Sequence, residues 1–256
     1  MRECSGIRIL GVRVNPLSPS ELVSYLAAGV APDSPPRVVV YANPYNLVMA
    51  ARNEMLQRAF ASADIVHVDG VGVALAARAL GCRGATRAVG HRLLPDVLAS
   101  VARRRCPTFL LGAREDVISL AAAEVKARWP SLPVVGYHHG YFEERDATHL
   151  VDAINASGAR LLLVGMGSPK QETWIARHRD RLQVGLIWSV GAAFDFLSGQ
   201  ERQCPRWMHV VGLEWVYRLL RDPKGKWCRY LVSNVGFVCG VARQLISQMG
   251  EEAQGT

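Results

Sequence analysis

The chain has 256 residues, half of them hydrophobic and a fifth charged, with a net charge of +8. That balance is ordinary for a globular protein, and the length suits one large domain or a domain with an appendage. The excess positive charge points to an anionic partner: a nucleotide, a nucleic acid or an anionic membrane surface. Six cysteines are scattered with no C-x-x-C and no His/Cys metal-ligand spacing, which fits reduced, buried thiols in a cytosolic protein. Arg8, Arg13 and Pro16 interrupt any signal-peptide pattern, and no apolar run reaches the roughly 20 residues needed to span a bilayer.

Strand-like runs alternate with helix-like segments along most of the chain. The expected strands cover residues 7–14, 37–42, 65–68, 108–111, 134–137, 161–164 and 185–190. Most are short, continuous and rich in Val, Ile or Leu, as strands covered on both faces should be. Ser18-Pro19-Ser20-Glu21 offers an N-cap, a proline at the first helical position and a capping-box glutamate. A helix over 115–129 stops before Pro130, and another over 169–182 opens with a proline. This alternation predicts an α/β fold: a Rossmann-like, mainly parallel sheet flanked by helices.

Composition changes near Gly199. Residues 202–229 carry seven basic side chains against two acids and include Trp207, Trp215, Tyr217 and Trp227. Residues 230–249 are then apolar, with Arg243 as the one interior charge. The expected division is therefore an α/β body over residues 1–199 and a basic helical appendage over 200–256, with 250–256 as an unstructured end.

Three strand-end loops carry the chemistry. In Tyr41-Ala42-Asn43-Pro44, Asn43 either hydrogen-bonds a sugar or base, or merely caps the next helix. In Asp69-Gly70 a carboxylate stands at the end of a buried strand, beside a helix N-terminus that favours a bound anion. It is either a base or a plain helix cap. In the segment 165–172, Gly165 and Gly167 permit a tight turn with exposed N–H groups, and Lys170 and Gln171 add donors at a helix start. That suits a phosphate or uridine site, although an ordinary strand–helix turn has the same glycines. His138-His139 invites a metal reading, but adjacent strand residues face opposite ways, so ordinary structural histidines are expected. The glycines at 70 and 72 lack dinucleotide spacing, which argues against a nicotinamide cofactor, and no Walker, G-x-S-x-G or H-E-x-x-H motif occurs.

Taken in order, the motifs resemble the WecG/TagA/CpsF family of bacterial glycosyltransferases. The landmarks are Asn43-Pro44, the segment 63–72, Arg87 with Gly90, Phe109-Leu110-Leu111-Gly112, PVVGYHHGYF (133–142), LVGMGSPKQE (163–172), VGAAFDFLSG (190–199), Pro205-Arg206-Trp207-Met208 and GLEWVYRL (212–219). They run from about residue 37 to 230, nearly the full length.

The resemblance implies transfer of a sugar from a UDP-sugar to a polyprenyl-diphosphate-linked sugar. It implies inversion, no metal and no cofactor, and work in the cytoplasm on the inner face of the membrane, building teichoic acid linkage units or other surface polysaccharides. N-acetylmannosamine is the default sugar. The partners it implies are the two substrates, an anionic membrane surface and a second copy of the chain, with no nucleic acid.

By the same resemblance Asp69 is the base, and Arg87, Asn43 and Gln171 are active-site positions. Tyr41, Gly70, Gly165, Gly167 and Lys170 join them around the substrates. Arg206, Arg218 and Arg229 belong to the appendage that covers the site and meets the lipid diphosphate. Four departures stand out: Tyr41 where the family usually has threonine, Arg92 where G-x-D-L is usual, and Gly225 and Cys228 at positions commonly arginine. The competing readings are a nucleotide- or nucleic-acid-binding protein without transferase activity, suggested by the charge alone, and an inactive membrane-binding scaffold.

Overall fold

The computed structural model describes residues 6–30 and 36–254, with the backbone alone at 226, 228, 229 and 251–254. The chain opens on a hairpin, β1 (Ile7–Ile9) and β2 (Val12–Val14), rather than on the single strand expected over 7–14. Leu10 and Gly11 form its two-residue turn with φ of 48° and 85°. Left-handed values at both positions match the twist of a tight hairpin. Asn15 then runs beside the edge of the main sheet, donating its N–H to Val66 O (2.7 Å) and accepting from Val66 N through Oδ1 (2.9 Å).

Helix α1 (Pro19–Ala28) begins with the capping box read from the sequence: Glu21 Oε2 accepts from Ser18 N at 2.7 Å, and Ser18 Oγ accepts from Glu21 N. The strands that follow alternate with helices in chain order: β3 (Arg37–Ala42), α2 (Pro44–Ala50), α3 (Glu54–Ala61), β4 (Ile65–Val68), α4 (Val71–Ala79), α5 (Gly90–Arg103), β5 (Thr108–Gly112), α6 (Glu115–Arg128) and β6 (Val134–His138). After a short 3-10 turn come α7 (Ala147–Ala156), β7 (Leu161–Gly165), α8 (Lys170–His178), β8 (Leu186–Ser189) and α9 (Ala193–Leu197).

The six strands β3 to β8 form one wholly parallel sheet in the order β4-β3-β8-β7-β5-β6. Successive residues feed opposite faces. Val38, Val40 and Ala42 join one buried core, Val39 the other; Leu162 and Val164 join the first, Leu161 and Leu163 the second. Burial on both faces is what the continuous apolar runs predicted. It is also the main driving force for the fold, at roughly 25 cal/mol per Å² of apolar surface removed from water.

This topology creates a crevice. Neighbours β5 and β7 send their connections in opposite directions, one outward to β6 and the other inward to β8. In open parallel sheets ligands bind where the connections diverge in this way, beyond the carboxyl ends of the strands.

The last fifth of the chain is helical: α10 (Arg206–Val210), α11 (Glu214–Arg221), α12 (Pro223–Trp227), a π-helical turn (Cys228–Val232) and α13 (Ser233–Gln254). Helix α13 runs past the end expected at 250. It packs on α2, and its Phe237 and Val241 enter the first core. Its Gln244 fastens the hairpin by accepting from Leu10 N (3.0 Å) and donating to Arg8 O (2.7 Å).

Candidate active site

The carboxyl ends of β3 and β4 are joined by a bond from Asp69 N to Ala42 O at 2.8 Å. Asp69 follows β4 directly, but Gly70, not Asp69, is the N-cap of α4, and that cap makes no side-chain bond. Gly70 has φ of 100°, and a Cβ there would meet nothing within 4 Å. The glycine is thus needed for backbone conformation rather than for space. Asn43 does cap its helix: Oδ1 accepts from Asn46 N at 3.0 Å while Asn46 Oδ1 accepts from Asn43 N at 2.8 Å. The buried Asn46 completes the brace by donating to Tyr41 O.

These residues border a cavity of about 320 Å³. From the body it is lined by Tyr41, Asn43, Asp69, Gly70, Arg87 and His91; from the C-terminal helices by Glu214, Trp215, Arg218, Tyr230 and Phe237. The first residues of α4 and α5 also face it, so two helix N-termini add positive potential. Arg87 donates to the carbonyls of His209 and Val210 at the end of α10. Arg218 pairs with Glu201 at 3.3 Å and lies 5.6 Å from the Phe196 ring centroid. Burial opposes the charge of Arg218, yet Tyr230, Glu201, Glu214 and Asp69 together push its pKa above the ordinary arginine value.

A second cavity, also about 320 Å³, occupies the crevice beyond β5 and β7. It is lined by Arg114, Tyr141, Gly165, Gly167, Lys170 and Asp195, while Tyr41 and Ala192 line both cavities. Lys170 Nζ donates to Gly140 O (2.5 Å) and stands 5.0 Å from the Phe142 ring. Burial raises the Asp195 carboxyl, and nearby Glu201 adds to the rise. Tyr41 is the wall between the two spaces. Its hydroxyl lies so close to Gly191 (φ 54°) that a Cβ there would stand 2.6 Å from it.

Under the first cavity, His67 is fully buried between the rings of Tyr41 and Trp188. Burial lowers its pKa to about 4, against the backbone of Ala88 and Val68, so the imidazole is neutral at pH 7.

Two mouths at one sheet edge, one holding a carboxylate with two arginines, suit group transfer between two bound substrates. Comparison with known proteins names the group. A family model described as the glycosyl transferase WecG/TagA/CpsF family matches residues 7–251. The chain belongs to the WecG/TagA/CpsF family of glycosyltransferases. A relative from Bacillus spizizenii, an N-acetylglucosaminyldiphosphoundecaprenol N-acetyl-beta-D-mannosaminyltransferase, is 29% identical over 212 residues, which is 83% of this chain and 81% of the relative.

For this WecG/TagA/CpsF member, the fold brings Tyr41, Asn43, Asp69, Gly70, Arg87 and Arg218 to the first cavity and Gly165, Gly167 and Lys170 to the second. It sets Gln171 elsewhere. That side chain is fully buried, accepts from Gly167 N at 3.2 Å and donates to Glu172 Oε1 at 2.8 Å, bracing the 165–170 loop from beneath. Arg206 is exposed on α10 and lines neither cavity, and the side chain of Arg229 falls outside the described residues.

The sequence reading did not single out Glu214, His91, Asp195, Phe196 or Arg114. The first four lie in or beside quoted motifs, so the motif letters themselves were the available pointer. His138 and His139 do not face apart as expected. Their rings are 4.4 Å apart because the strand ends at His138, and they bond to the local backbone. Among the described residues no group of three His, Cys, Asp or Glu side chains is gathered as metal ligands.

Proposed function

We propose that this glycosyltransferase moves N-acetylmannosamine from UDP to N-acetylglucosaminyl-diphospho-polyprenol, with inversion and without a metal, in the synthesis of teichoic acid or another surface polysaccharide. The observation that carries the reading is the pair of cavities meeting at Tyr41 and Ala192, with Asp69 in one and a glycine-turned, lysine-bearing loop in the other. The relative's activity supplies the sugar identities.

The nucleoside of the donor occupies the crevice beyond β5 and β7, and its diphosphate leads the sugar past Tyr41 toward Asp69. The acceptor enters the first cavity. Asp69 takes the proton of the acceptor hydroxyl as that oxygen attacks the anomeric carbon, and the bond to the diphosphate breaks on the opposite side. The electron pair stays on the leaving phosphate oxygen. Arg218, Arg87 and the N-termini of α4 and α5 offset that charge, the role a metal plays in other transferases.

Residues 200–256 act as an appendage that closes the first cavity and rests on the inner face of the cytoplasmic membrane. Trp207, Val210, Leu220, Trp227 and Leu231 are exposed there beside the basic Arg206, Arg221 and Lys224. On α13, Val235, Val238, Ile246 and Met249 add an exposed stripe at helical spacing. Among the described residues no helix is long and apolar enough to cross a membrane, so contact of this kind is interfacial. The same stripe offers a surface for self-association.

The test is a screen of UDP-sugars against a short-chain prenyl-diphospho-N-acetylglucosamine. UDP release should require the acceptor and be fastest with UDP-N-acetylmannosamine. Absence of transfer with every donor, together with salt-sensitive binding to DNA or RNA, would replace this reading with that of a nucleic-acid-binding protein.

A further inference from the structure

Helix α11 sits over the first cavity with α10 just before it, yet among the described residues none from α10, α11 or α12 enters either buried core. Polar contacts hold them instead, and these converge on one side chain. Glu214, the first residue of α11, has Oε1 3.1 Å from His91 Nε2 and Oε2 3.2 Å from His209 Nδ1 and 3.8 Å from Arg92 Nε. Its side chain is 18% exposed.

The partners are themselves fixed. The His91 ring lies flat on Phe196, with centroids 4.1 Å apart and planes 9° from parallel. Arg92 also donates to Cys204 O at 3.4 Å. Arg87, a few residues before them, holds the carbonyl end of α10. One short stretch of the body, residues 87–92, thus grips 204–214 around a single carboxylate.

We propose that Glu214 is a positioning residue: it seats α10 and α11 on the body and so presents Arg218 to the substrate diphosphate. The presentation of Arg218 rests on the glycosyltransferase reading; the seat does not. Burial alone would raise the Glu214 carboxyl, but its close contact with His91, followed by those with His209 and Arg92, brings it to about 2. With both oxygens engaged, it is a fixed anion and not a proton acceptor. Without it, Arg92 is left partly buried beside two imidazoles with no counter-charge, an arrangement that favours local opening. The body should stay folded, because its two cores lie elsewhere.

The experiment is hydrogen–deuterium exchange on the full chain, comparing wild type with Glu214→Gln, Glu214→Ala and Arg92→Gln. Amides of 206–221 should exchange about tenfold faster in the Glu214 variants and less so in Arg92→Gln, with β3, β7 and β8 protected as in wild type. In transfer assays, Glu214→Gln should lower kcat more than it raises the acceptor KM, as loss of Arg218 does, and Glu214→Asp should recover part of the loss. Unchanged protection of 206–221 in both Glu214 variants would overturn the seat. A wild-type chain that transfers no sugar, with the exchange difference intact, would overturn the functional reading and leave the seat standing.

Discussion

The body and the C-terminal helices of this glycosyltransferase present charge to the same cavity by different means. Asp69 stands at the end of a strand buried on both faces, and its backbone is tied to the next strand. Arg218 stands on a helix that contributes nothing to either core and is held by ion pairs and an aromatic contact. In the proposed mechanism the base therefore belongs to a rigid scaffold, whereas the cation offered to the leaving group belongs to an element that can open at low cost. The proposed function, in which a lipid-linked acceptor enters and the C-terminal helices close over it, calls for both kinds of support.

Mutations can break this contrast from either side. Asp69→Asn should lower transfer by about a thousandfold while leaving nucleotide binding and thermal unfolding as in wild type. Near-normal turnover in steady-state assays would remove Asp69 from the mechanism.

Rigidity of the body also has a pH signature. The folded pKa of His67 lies near 4, below its ordinary value of 6.5, so the unfolded chain binds a proton that the native one refuses between those limits. Stability is whole above about pH 6.5 and falls toward pH 4, by about 3 kcal/mol in all from this group. Denaturant titrations at pH 7 and pH 4.5 should show that loss, and it should shrink in His67→Gln.

On the C-terminal side, Arg218→Ala should cost about a hundredfold in kcat with a fold as stable as wild type. A large drop in melting temperature would instead mean that α11 supports the body. The smallest effect is expected at the wall between the cavities. Tyr41→Thr opens the space beside Gly191 and should shift the ratio of kcat/KM between UDP-sugars by about tenfold, with Tyr41→Phe close to wild type. An unchanged ratio would mean that the wall does not touch the sugar.

What could be read from the sequence follows the same division. Strands 37–42 and 65–68 appear with the bounds expected of them, because a run of Val and Ile buried on both faces leaves little choice of structure. The hairpin at 7–14 was hidden, since its turn uses Leu10 in a left-handed conformation that leucine seldom adopts and only Gly11 marks. The position of Asp69, Asn43 and Gly70 beside one cavity was legible because strand ends lie where chain order puts them.

Gln171 was less so: nothing in its spacing tells a donor aimed at substrate from one that braces its own loop. Arg206 faces outward on a helix of five residues, too short for its apolar pattern to fix a face. The Glu214 cluster joins residues more than a hundred positions apart, and long-range pairing of charges leaves no periodic trace.

Transfer by direct displacement at Asp69 can be checked on the product made from UDP-N-acetylmannosamine and a short-chain prenyl-diphospho-N-acetylglucosamine. One UDP should be released per disaccharide, with a new linkage of configuration opposite to the donor's by NMR, and Asp69→Asn should form about a thousandfold less of it. A product that retains the donor's configuration, or one formed equally well without Asp69, would contradict it.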